Sequence, residues 1–247
     1  MSEAVHVVAS ASGAHAFKDL GVHRLRDLMQ PERLYQLLHP DLPSSFPPPD
    51  TLSELSHNLP SHLDSFVGRT QELAELGTIL SAHRLVTVAG AGGVGKTRLT
   101  QQVAAEQIER YKDGAWFIHF AQTKRPEIVV PILCTELETG PDSSEHALIE
   151  ALAPRQALVI LDNCEHVYDA CRSVADKLLK RCPRLSILAT SRRVLDVKGE
   201  YVVRLGGLRL PEPDELAEAP RFEGIQLFVE RARQRGTALS VNEATLH

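Results

Sequence analysis

The residue types best placed to do chemistry fall in GAGGVGKT, Gly90 to Thr97, which fits the spacing G-x-x-x-x-G-K-[ST] at every fixed position. Glycines at 90, 92, 93 and 95 let successive backbone N–H groups converge on one point, and converging donors bind phosphate oxygens. A helix beginning near Lys96 would add its positive dipole end. Lys96 is then expected to bridge β- and γ-phosphates, and Thr97 to hold Mg²⁺ through its hydroxyl. Ala91, Val94 and Arg98 complete the set expected around a bound ATP or ADP. The loop alone leaves three uses for the phosphate: a transferred group, a source of work, or a bound signal.

Such a loop needs a second acid to orient the metal. LVILDNCEH, Leu158 to His166, offers Asp162 at the end of an apolar run, where open α/β sheets bind ligands. The expected metal set is therefore Thr97 and Asp162. The position after this Asp, which carries a glutamate base in many ATPases, is Asn163. Glu165 is the remaining candidate to activate water, so hydrolysis is expected to be slow or absent. ATSRR, Ala189 to Arg193, brings Thr190, Ser191 and Arg192 to the same sheet edge, with Arg192 expected to sense the γ-phosphate. Cys164, His166 and Cys171 invite a metal reading, but Cys171 falls on an apolar helix face, where a free thiol packs as a small hydrophobe. The other histidines are expected in ordinary roles.

The elements that must position these groups alternate. RLVTVAG reads as a strand, followed by a helix with Leu99, Val103, Ala104 and Ile108 at helical spacing. GAWFIHF (114–120), ALVILD (157–162) and LSILATS (185–191) read as further strands. Val167, Cys171, Val174 and Leu178 mark one face of a helix that runs to Arg181 and stops before Pro183. Another helix is expected to begin at Asp142, with Glu145 as its capping partner and Leu148 and Leu152 inward. Apolar strands alternating with amphipathic helices predict an α/β fold: a parallel sheet covered on both faces, of the P-loop NTPase kind. The strand at 114–120, between the loop and Asp162 in sequence, predicts that the Asp162 strand is not adjacent to the loop strand. The strand ending at Arg192 is expected beside the loop strand instead.

Ahead of this region, HPDLPSSFPPPD (39–50) is rich in proline and favours an extended joint. Before it, FKDLGVHRLRDLMQPERLYQLL reads as two or three short strands around Gly21 and Pro31, with Leu25, Leu28, Leu34 and Leu37 as candidate buried positions. The expected division is 1–39, a linker over 40–63, and a nucleotide-binding domain over 64–247.

The 247 residues are 43% hydrophobic and 24% charged, with a formal net charge of -5. That balance lacks the clustered Lys and Arg that phosphate backbones select, so no direct DNA binding is expected. No segment reaches the roughly 18 apolar residues of a membrane helix, and the N-terminus lacks a signal-peptide pattern. Cys134, Cys164, Cys171 and Cys182 match no zinc or disulfide spacing, so reduced thiols and a cytoplasmic location are expected.

Five stretches in order, FVGRTQEL, GAGGVGKTRL, LVILDNCEH, CPRLSILATSRRVLDVKGE and IQLFVERAR, resemble the signal-transduction ATPases with numerous domains (the STAND group). Within it, the resemblance is to bacterial LuxR-type regulators with an NB-ARC-related ATPase. The resemblance covers about Ser65 to Arg233. It implies that Val67 and Arg69 lie near the adenine and that the phosphate serves as a signal. LGVHRLRDLMQPERLYQLLHPDLP resembles the C-terminal tail of a class III adenylate/guanylate cyclase domain, without that enzyme's catalytic residues. The family continues into a winged helix, a repeat sensor and a helix-turn-helix beyond the last residue here, His247. The expectation is thus a nucleotide core truncated at both ends, binding nucleotide and possible protein partners or itself. The rival readings are a small-molecule or nucleotide kinase, and an interaction fragment that no longer binds nucleotide.

Overall fold

Among the residues that the computed structural model describes, 16–23, 32–38, 56–60, 66–212 and 215–234, there are seven strands and six helices. The chain divides into two units, Met1–Ser56 and His57–His247.

In the first unit, β1 (Ala16–His23) and β2 (Glu32–Leu38) pair antiparallel, with an irregularity between Asp19 and Gly21. Arg33 clasps Asp19 across the pair at 2.7 Å. Leu34 and Leu37 are half-buried, while Leu25, Leu28 and the polyproline joint lie outside the described residues.

The second unit is a five-stranded parallel sheet. Its strands are β3 (Leu85–Ala89), β4 (Ala115–His119), β5 (Leu158–Asp162), β6 (Ser186–Ser191) and β7 (Glu200–Arg204), in the spatial order β4-β5-β6-β3-β7. β6 therefore separates the Asp162 strand from the loop strand and lies beside the latter, as the sequence predicts. β7, the edge strand beside β3, is an addition to the expected four. It is only half covered, so its residues lack the continuous apolar pattern of the central strands.

The helices among the described residues are α1 (Thr70–Ala82), α2 (Lys96–Gln107), α3 (Val129–Glu136), α4 (Glu145–Leu152), α5 (Tyr168–Arg181) and α6 (Glu223–Gln234). Successive side chains of a strand point to opposite faces. One face presents Leu85, Trp116, Ile118, Val159, Leu161, Ile187 and Ala189 to α3, α4 and α5, building the largest buried cluster. The other presents Val86, Val88, Leu158, Ile160 and Leu188 toward α2, whose Leu99, Val103 and Ala104 are buried with Ile108. Cys171, Val174 and Leu178 bury the expected face of α5.

Two helices depart from expectation, one in its start and one in its existence. α4 starts at Glu145, and its cap is Ser144, whose hydroxyl accepts from the Ala147 N–H at 3.2 Å. Asp142 instead accepts from the Ser144 N–H and hydroxyl, so the acid organises the turn that carries the cap. α3 has no counterpart in the sequence reading. Pro131 sits in its first turn, where a missing N–H costs nothing.

Within the stretch expected as linker, His57 bridges to Ala115 and the Asn58 side chain both accepts from and donates to the Phe117 backbone. That short segment closes part of the β4 edge. Among the described residues, no helix is long and apolar enough to cross a membrane.

Candidate functional site

β3 ends at Ala89 and α2 begins at Lys96, so the glycine loop joins a buried strand to a helix N-terminus. Gly90 donates its N–H to the Ser191 carbonyl of β6 at 3.2 Å. A Cβ on Gly90 would stand 2.5 Å from the Leu205 carbonyl oxygen, so only glycine lets the loop leave the sheet this close to its neighbour. Gly95 caps α2 with φ +97, a left-handed conformation that a side chain resists. Ala91, Gly92 and Gly93 are exposed, Val94 and Gly95 half-buried, and Arg98 is half-buried on the first turn of α2.

Lys96 is buried, and its ammonium folds back across the loop to donate to the Gly90 and Ala91 carbonyls at 3.0 and 2.9 Å. Its neighbour Thr97 donates to Asp162 Oδ1 at 2.8 Å. The loop and the strand-end acid, 65 residues apart in sequence, are thus in direct contact.

Asp162 is fully buried at the end of β5. Oδ1 also accepts from the Thr190 hydroxyl at 2.6 Å, and Thr190 Oγ1 accepts in turn from the Asn163 N–H at 2.9 Å. Oδ2 meets His119 Nδ1 at 2.7 Å and Asn163 Nδ2 at 3.2 Å. The sheet register explains this. His119 and Asp162 are paired last residues of parallel strands, so their side chains leave the same face side by side. Thr190 sits in register with Val88 of the loop strand. His119 is the functional-site neighbour that sequence reading missed, because only the register places it there.

Glu165 lies in the turn Cys164–His166, with its Oε1 3.3 Å from Arg192 Nε and its Oε2 buried with no hydrogen-bond partner among the described residues. Arg192 follows β6 and leans on the loop: a Cβ on Gly92 would be 3.4 Å from its Nη2. Arg193, by contrast, is committed elsewhere, with its guanidinium 3.4 Å from the Tyr168 ring centroid. Asn163, at the position where a base is often found, has φ 60 and turns its amide onto Asp162.

Val67 is half-buried just before α1, and Arg69 begins that helix with φ 57. The Arg69 side chain is buried and donates to the Val94 and Gly206 carbonyls, each at 2.8 Å, and to Glu72 at 2.9 Å. Its backbone N–H donates to Glu223 Oε1, at the start of α6, at 2.8 Å. Arg69 therefore ties the glycine loop to α1, α6 and the segment after β7. Glu223 is a second contact invisible in the sequence.

The four cysteines are free and buried. A hydrogen bond with Cys171, reinforced by burial, pushes the Cys164 thiol well above its ordinary value. It is a packed neutral thiol beside the acid rather than a ligand.

A family model described as "AAA ATPase domain" matches residues 65–239. An uncharacterized protein of Mycobacterium tuberculosis is 35% identical over 194 residues, 77% of this chain and 47% of that protein. A provisionally named HTH-type transcriptional regulator of the same organism is 35% identical over 158 residues, 62% of this chain and 16% of the regulator. The chain thus spans about half the length, or less, of these curated relatives. Among solved structures, Cdc6p from Pyrobaculum aerophilum superposes with a TM-score of 0.47 at 18% identity, covering 71% of this chain and 52% of that one.

Proposed function

The chain belongs to the AAA ATPase domain family, and on that premise we propose that it is an ATP- and ADP-binding switch module of the STAND type. In this reading the bound phosphate is a signal, and hydrolysis is slow or absent. The observation that carries it is the contact of Thr97 with Asp162 at 2.8 Å, directly behind the glycine loop.

The chemistry of the donors suits Mg²⁺. A hydroxyl and a carboxylate are hard oxygen ligands, and the two hydroxyls on fully buried Asp162 bring it no positive charge. A buried carboxylate oxygen held by two hydroxyls, as Oδ1 is, is improved by a cation. Thr97 and Asp162 would hold that cation, which neutralises phosphate charge when bound. Lys96 rests on two carbonyls, which are weaker acceptors for an ammonium than anionic phosphate oxygens. The loop N–H groups of residues 91–95 and the α2 N-terminus would supply the remaining donors. Arg192, beside Gly92 and Glu165, is read as the γ-phosphate sensor, and Glu165 as the candidate base. Val67 and Arg69 would flank the base of the nucleotide, with Arg69 gripping the loop at Val94.

The likeness to an HTH-type transcriptional regulator supports a regulatory setting, with residues 64–247 as the nucleotide core. The hairpin within 1–39 is read, on sequence resemblance, as a cyclase-type tail.

The test is ADP titration of the parent protein and Asp162→Ala, with Mg²⁺ and with EDTA. The parent should bind in both conditions and more tightly with Mg²⁺, and the two proteins should converge in EDTA. Equal losses in both conditions would remove Asp162 from metal binding.

A further inference from the structure

We propose that His119 is a positioning residue for the metal-binding carboxylate, one that fixes which oxygen of Asp162 faces Thr97. The proposal rests on the nucleotide-binding reading above and adds a residue that neither the glycine loop nor the Asp162 strand contains.

The terminal torsion of an aspartate is broad and roughly two-fold, so an untethered carboxylate exchanges its oxygens. Asp162 is tethered at both. Oδ1 accepts from Thr97 at 2.8 Å and from Thr190 at 2.6 Å, the partners nearest the loop. Oδ2 is held on the opposite side by His119 Nδ1 at 2.7 Å, with Asn163 Nδ2 further out at 3.2 Å. A carboxylate only accepts, so Nδ1 carries the proton and the tautomer is set by this bond. The ring itself is held near-parallel to Phe117, with centroids 6.1 Å apart, and by its place at the end of β4 in register with Asp162. The His119 side chain is 43% exposed while Asp162 is fully buried, so the imidazole is also the wall between that carboxylate and solvent.

An outer partner that orients a metal ligand typically contributes 10- to 100-fold to metal affinity. Thr190 cannot substitute for His119, because it donates to the other oxygen. Asn163 also donates to Oδ2, but at 3.2 Å against 2.7 Å for His119, so it is the weaker tether.

The experiment is calorimetric titration of ADP into the full chain over a series of Mg²⁺ concentrations and in EDTA, for the parent, His119→Ala and His119→Asn. The Asn side chain keeps an N–H donor at the same number of bonds from Cβ as His Nδ1. His119→Ala is expected to need about tenfold more Mg²⁺ to reach the parent's gain in ADP affinity. His119→Asn should recover most of that loss. An unchanged Mg²⁺ dependence in His119→Ala, a loss of equal size in EDTA, or failure of Asn to do better than Ala overturns the proposal. A parent that binds no ADP overturns the nucleotide reading and this proposal together. Normal parent binding with an indifferent His119→Ala overturns the positioning role alone.

Discussion

Glu165 and Arg192 form an ion pair across the carboxyl ends of β5 and β6, with Oε1 3.3 Å from Nε, while the second Glu165 oxygen is buried with no hydrogen-bond partner among the described residues. That Oε1 is engaged by the guanidinium, for which a γ-phosphate bound beside the loop would compete.

Steady-state phosphate release should therefore be far below the median enzyme rate of about 10 per second. Glu165→Gln should remove whatever turnover exists and leave ADP affinity within about threefold, a difference under 1 kcal/mol. Turnover at the median rate, or full turnover in Glu165→Gln, would show that the base lies elsewhere.

Arg69 should be the most sensitive stability position around the site. Arg69→Ala strands the Val94 and Gly206 carbonyls and unties the loop from α1. Removing a buried, charge-assisted network of this kind costs about 3 kcal/mol. In a unit of this size that lowers the Tm by roughly 6–12 °C. Arg69→Lys should recover only part, since one ammonium cannot stand both where Nη2 meets the two carbonyls and where Nη1 meets Glu72. A calorimetric scan with an unshifted transition would contradict the network's role.

Stability should fall in alkaline solution. The thiols of Cys164 and Cys182 and the phenol of Tyr111 all titrate above their ordinary values in the folded chain, Cys164 chiefly through its bond to Cys171 and the other two chiefly through burial. Each favours the fold fully below its unfolded value and loses that contribution as the pH climbs toward the folded one. The Tm should be nearly level to about pH 8 and decline above about pH 8.5, where unfolded thiols ionise, with Tyr111 joining near pH 10. Melts of the parent and Cys164→Ala from pH 7 to 10 check this, the variant showing the shallower decline. A Tm that rises with pH would contradict it.

Much of this was legible in local pattern. The loop at 90–97, the apolar run into Asp162 and the i, i+4, i+7 face of α5 each carry their signal within a dozen residues, and strand order followed from where the 114–120 strand falls in the chain. β7 and α3 were not legible, one for being a half-covered edge and the other for a proline that its first turn tolerates. His119 beside Asp162 and Glu223 beside Arg69 were out of reach for another reason. Those pairs are 43 and 154 residues apart, and only sheet register and helix docking bring them together.

The most direct measurement is ADP binding to the parent and to Lys96→Ala by titration calorimetry. A charge-assisted contact to phosphate contributes about 1.5–3 kcal/mol, so Lys96→Ala should bind roughly 10- to 150-fold more weakly at the same Mg²⁺ concentration. Parent and variant binding ADP equally, or neither binding it, would contradict a nucleotide switch built on this loop.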